Sequence, residues 1–128
     1  MSLALLLSER EQYRDAIALL NGAEQRAPGR LAIATTLARL LASSPDLAVR
    51  DGRRALDLAT AIGARRSAPA DAETMALALA ELGRCAEALD WMRRAVTRAE
   101  GAHDPGEVAR LRAETPRYQG TSCRAPGR

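Results

Sequence analysis

The chain has 128 residues, which fits one domain with a modest core. Hydrophobic residues make up 47% of it, yet Phe is absent and the only aromatics are Trp91, Tyr13 and Tyr118. The core must therefore come from Leu, Ala, Ile, Val and Met, a palette of helix formers and not of strand formers. The net charge of +3 is unevenly spread: residues 1–107 carry 14 Arg against 15 acids, and residues 108–128 carry five Arg against Glu114. That excludes a basic stripe along the body of the kind nucleic-acid binders use. The basic residues are all Arg, a usage in keeping with a GC-rich genome.

In chain order, the apolar spacing predicts helices over residues 2–10 and 12–26, the second stopped by Pro28 and Gly29. A helix over 30–42 follows, broken by Ser43, Ser44, Pro45 and Asp46, with a short helical turn over 47–50. Asp51 caps a helix over 52–62, ended by Gly63. After a polar connection come helices over 71–82, closed by Gly83, and 85–100. Pro105 suits the first turn of a seventh helix that ends before Pro116. Residues 117–128 form an irregular Arg-rich tail.

The chain repeats itself. Ala4 and Leu7 precede Ala16, Leu20 and Ala23; Ala38 and Leu41 precede Ala55, Ala59 and Ile62; Ala76 and Leu79 precede Ala88, Met92 and Ala95. Small residues are needed where antiparallel helices come closest, and larger apolar residues one turn away fill the flanking holes. A single hairpin cannot bury its apolar face, so neighbouring units stack.

The segment from Met75 to Leu89, with Ala76, the turn residue Gly83 and the Glu87-Ala88 pair, resembles a tetratricopeptide repeat. Residues 1–30 keep Tyr13, Ala16, Ala23 and Pro28 at the family spacing, and Pro45-Asp46 with Arg50-Asp51-Gly52 resembles a unit found near the end of bacterial arrays of this kind. The resemblance implies an all-α domain over 1–116: units of about 1–30, 31–64 and 65–101 and a capping helix over 104–115, about seven helices stacked in a right-handed superhelix. Cys85 stands where the family has an aromatic, and Glu11 where it has a turn glycine.

No catalytic constellation is evident. His103 is the only histidine and lies far in sequence from Cys85 and Cys123, so a Cys–His nucleophile is not expected. One His and two scattered Cys do not supply a zinc site, and no glycine-rich phosphate loop is present, so no metal or cofactor is expected. The two cysteines read as free thiols in a reducing compartment. No stretch approaches the roughly 20 apolar residues that span a bilayer, and residues 1–7 lack a signal peptide's basic start, so the expected location is cytoplasmic.

The resemblance implies a concave groove lined by the first helix of each unit. By spacing, its residues are Leu5, Ser8, Thr35, Arg39, Ala42, Glu73, Leu77 and Ala80. With only Arg39, opposed by Glu73, this is not a carboxylate clamp; it suits a helix or an extended partner segment. Trp91 either packs on the seventh helix or anchors a partner. Tyr118, Arg124 and Arg128 are expected to lie against another subunit. The function these features imply is a non-catalytic protein–protein interaction module, an accessory or scaffolding subunit of a larger assembly. The alternatives are a regulatory C-terminal fragment of a longer multidomain repeat protein and, less favoured, a nucleic-acid-binding helical repeat that uses the tail.

Overall fold

A computed structural model describes the backbone of residues 3–127 and the side chains of residues 9–127. Among the described residues the protein is all-helical, with six α-helices, two 3-10 turns and no strand. The helices are α1 (Leu3–Arg26), α2 (Leu31–Ser43), α3 (Gly52–Gly63), α4 (Pro69–Glu81), α5 (Cys85–Gly101) and α6 (Pro105–Glu114). The 3-10 turns cover Leu47–Val49 and Thr115–Tyr118.

The predicted hairpin over residues 2–26 is instead one continuous helix of 24 residues, α1. The cause is local. Glu11 and Gln12 occupy the expected turn, both are good helix formers, and no Gly or Pro interrupts the run before Gly22. Six α-helices therefore stand where seven helices were expected.

Elsewhere the ends lie close to where capping chemistry puts them. Asp51 Oδ1 accepts the Arg54 N–H at 3.0 Å and starts α3. Asp104 Oδ1 accepts the Glu107 N–H at 3.1 Å and starts α6, with Pro105 in its first turn. Asp46 Oδ1 accepts the Ala48 N–H at 3.0 Å and opens the first 3-10 turn. Pro69 opens α4, and Asp71 Oδ2 accepts the Ala68 N–H at 2.9 Å. Gly83, at φ +77°, lets the chain reverse after α4, with its own N–H on Ala80 O and the Arg84 N–H on Leu79 O.

Alanine sets the packing. α2 buries Ala34, Leu37, Ala38, Leu41 and Ala42, a spacing that keeps one face of a 3.6-residue period toward the core. α3 buries Ala55, Ala59 and Ile62, and α5 buries Ala88, Met92, Ala95 and Ala99. α2 packs on α1, α3 and α4, α3 on α4, α4 on α5, and α5 on α6. α4 is central, with buried residues around most of its circumference, from Asp71 to Ala80. At the start of α3, Gly52 allows close approach to α4: a Cβ there would sit 3.0 Å from Leu82 Cδ2 and 3.1 Å from Glu81 Cγ.

Candidate functional site: an arginine–glutamate face closed by the tail

Besides Asp71, α4 carries two carboxylates eight residues apart, Glu73 and Glu81, which the helical period puts about two turns apart on one broad side. Each is buried and each accepts from two arginines. Glu73 takes Arg39 of α2 at 3.2 Å and a two-pronged contact from Arg110 of α6 at 2.8 and 3.0 Å. Arg39 also donates to Thr74 Oγ1 at 3.0 Å and to Ala70 O at 2.9 Å, so it clamps α2 to α4 at several points. Hydrogen bonds to Glu107 and then to Glu73 raise Arg110 further above its ordinary range, and the same guanidinium holds the Glu107 carboxyl below its own.

Glu81 is met by Arg50 at 3.1 Å and by a two-pronged contact from Arg124 at 2.9 and 3.1 Å. Arg50 follows the 3-10 turn and is as buried as its partner: 3% of its side chain is exposed, against 5% for Glu81. Its remaining N–H groups go to main-chain carbonyls, Ser44 O on one side and Ala125 O and Pro126 O on the other, all at 2.7 Å. Arg50 thus binds the tail through its backbone, without reading its side chains.

The tail is therefore part of the fold. Tyr118, in the second 3-10 turn, is buried in the core beside Leu111 and Met92, and burial pushes its hydroxyl up to about 12. Residues 119–122 are exposed, and Gly120 has φ +112°. Beyond them the chain returns to α4. Cys123 is bonded to Cys85 with 5.7 Å between their Cα atoms, and its Sγ lies 3.8 Å from Ala80 O. The expectation of two free thiols is corrected accordingly. The fold brings the first residue of α5 beside the returning tail, a proximity that 38 intervening residues conceal.

Of the predicted groove residues, Glu73, Ala42 and Ala80 are buried, and Thr35, Arg39 and Leu77 are half-buried. The face is thus largely occupied rather than open. The side chains of Leu5 and Ser8, and Arg128, lie outside the described residues. Tyr118 and Arg124, expected against another subunit, pack on their own chain. Trp91 does not turn toward α6. It lines a cleft of about 330 Å³ with Ala59, Gly63 and Met75, and Arg94 lies 4.4 Å from its ring centroid.

Sequence reasoning missed Arg50, Glu81, Arg110 and the cysteine pair. One signal was present: a tail rich in Arg and an apolar helix that carries Glu73 and Glu81 among its alanines and leucines are a charge match. Together the helices and this face define an all-α protein with a peptide-like segment held across its central helix. Compared with known protein families, with curated proteins and with solved structures, the chain matches none.

Proposed function

We propose that this chain is a non-catalytic protein–protein interaction module, an accessory or scaffolding subunit whose contact surface is the face formed by α2 and α4. The observation that carries this reading is the hold of Arg50 on the Ala125 and Pro126 carbonyls. Arg50, in the connection between α2 and α3 and paired with Glu81 at the end of α4, already binds a segment of the tail through that segment's main chain, which is how many peptide-recognition surfaces accept partners. The resemblance to tetratricopeptide arrays, with hairpins in a right-handed superhelix, supports the same surface, because α2 and α4 are the first helices of the two units that contact each other.

Among the described residues no helix is long and apolar enough to cross a membrane. In a cytoplasmic setting, which is part of this proposal, a disulfide such as Cys85–Cys123 is of the transient, redox-responsive kind.

The test is site-specific photo-crosslinking of the full chain in the cells that make it. The crosslinker is placed at Thr35 or Leu77 on the proposed face, or at Asp90, exposed on α5. A discrete partner band from Thr35 and Leu77 and none from Asp90 is expected. Equal labelling from all three positions, or labelling from Asp90 alone, rejects the assignment.

A further inference from the structure

The end of the α4 face around Glu81 is already filled, by residues 123–127 of the same chain. We propose that residues 119–127 are a redox-latched strap, and that reduction of Cys85–Cys123 opens a site for an arginine-bearing peptide segment of a partner protein. This deepens the interaction reading above and rests on it.

What lies beneath the strap is a built polar site. Arg50 and Glu81 hold each other at 3.1 Å with both side chains buried, and that contact does not involve the strap. Two strap features complete them. The Arg124 guanidinium lies on both oxygens of Glu81, and consecutive carbonyls of Ala125 and Pro126 accept from Arg50. With the strap lifted, Glu81 presents a carboxylate to a guanidinium, and Arg50 presents N–H groups to main-chain carbonyls. A fitting segment therefore has an arginine followed by a small residue, in a bent conformation that turns two consecutive carbonyls toward Arg50. Ala125, only 9% exposed, occupies the small-residue position. The site asks for little else by way of side chains.

The strap is built to lift. Residues 119–122 are exposed and contain Gly120 in the left-handed region, so they act as a hinge between the buried Tyr118 and the buried Cys123. Apart from the disulfide, the polar hold on residues 123–127 is one ion pair with a half-exposed arginine and two hydrogen bonds. A competing segment can supply all of these. What it cannot match is the covalent bond, which keeps the strap in place whatever the competitor's concentration; a merely tethered strap competes at a finite, roughly millimolar effective concentration.

The latch is approachable. An open cleft of about 350 Å³ is lined by Gly83, Cys85, Ala86, Gly120 and Thr121. A dithiol reductant entering there attacks Cys85 Sγ as the thiolate, breaking the Cys85–Cys123 bond and expelling the Cys123 thiolate, which takes up a proton. The reductant's second thiol, as thiolate, then displaces Cys85 from the mixed disulfide, and the Cys85 thiolate is protonated in turn. The protein gains two electrons and two protons, and the reductant leaves as its cyclic disulfide.

The experiment uses the full chain and a fluorescent peptide of the strap's sequence from Thr121 to Gly127, with serine at the cysteine position. Anisotropy is read with the protein oxidised and after treatment with a dithiol. At least tenfold tighter binding to the reduced protein is expected. Cys123→Ser should bind without reduction, and a peptide with glutamate at the arginine position should not bind. Hydrogen exchange runs alongside on the unlabelled protein. Amides of Cys123 and Ala125, the buried residues of the strap, should exchange faster on reduction while those of α4 and α5 keep their protection. Equal binding in both redox states, no binding to the reduced protein, or loss of protection in α4 and α5 together with the strap overturns the proposal. Crosslinks from Thr35 and Leu77 that persist despite such a result leave the interaction reading standing without the latch. Peptide binding to the reduced protein with no crosslinked partner sinks the interaction reading alone.

Discussion

Arg50 and Glu81 face each other at 3.1 Å with at most 5% of either side chain exposed, whereas in the Arg39–Glu73, Arg66–Asp71, Arg110–Glu73 and Arg124–Glu81 pairs the arginine is at least 34% exposed. Desolvating two charges is costly, and such pairs persist where both partners are hydrogen-bonded on all sides. Here Arg50 also meets three carbonyls, and Glu81 also meets Arg124.

Arg50→Ala should therefore cost about 3 kcal/mol, the low end for removing one partner of a buried pair, since Arg124 still reaches Glu81. Urea unfolding of the oxidised protein measures it. A loss below about 1 kcal/mol would show that water reaches the pair freely.

Ala88 is fully buried against α4, where a larger side chain has no room. Ala88→Leu is expected to destabilise by about 1–3 kcal/mol. Ala86→Leu, two residues earlier and exposed, should stay within about 0.5 kcal/mol of the parent. Equal melting temperatures for the two variants would contradict the placement of Ala88.

Asp71 gives a pH signature. Burial pushes its carboxyl up, but two-pronged bonding from Arg66 at 2.8 and 2.9 Å, the Ala68 N–H and the charges of Arg66 and Arg98 outweigh this and lower it below 3.8. A carboxyl lowered on folding contributes stability that is complete above its unfolded value and is lost as pH falls through the folded one. Asp71→Asn should therefore be less stable than the parent at pH 7. The difference should shrink once pH drops below about 4 and vanish where both states are protonated. A gap that is constant from pH 7 to pH 2.5 would refute this.

Gly52→Val tests the close approach of α3 to α4. Its side chain would press on Leu82 Cδ2 and Glu81 Cγ, each about 3 Å from the Cβ position. A cost of about 1–3 kcal/mol is expected. The Arg124 contact should weaken with it, seen as faster amide exchange at the neighbouring buried Ala125. Unchanged stability and exchange would mean that Leu82, which is partly exposed, simply swings away.

Much of the fold is legible in the residues. Asp51, Gly63, Gly83 and Pro105 mark helix ends because capping and left-handed turns are local chemistry, and the Ala38, Ala55, Ala76 and Ala88 spacing marks the buried contacts because helix periodicity is local too. The break expected near Glu11 came from family spacing and not from any breaker residue, and the helix continues through it. The site is harder to read. Arg50 meets Ala125 across 75 residues and Cys85 meets Cys123 across 38, and no periodicity encodes such pairings. They follow from where the completed helices leave the tail.

The distance between Arg50 and the carbonyls it holds also orders events in time. A chain made from its N-terminus completes α2 to α5 by residue 101, whereas the strap's anchoring residues start at Cys123. At about 5–20 residues per second the strap is made about 1–4 s after α5, the last of these parts to be added. The face is thus assembled from residues made earlier than the segment that covers it. A partner segment present during synthesis meets no competitor, and one that arrives later must displace a strap already in place.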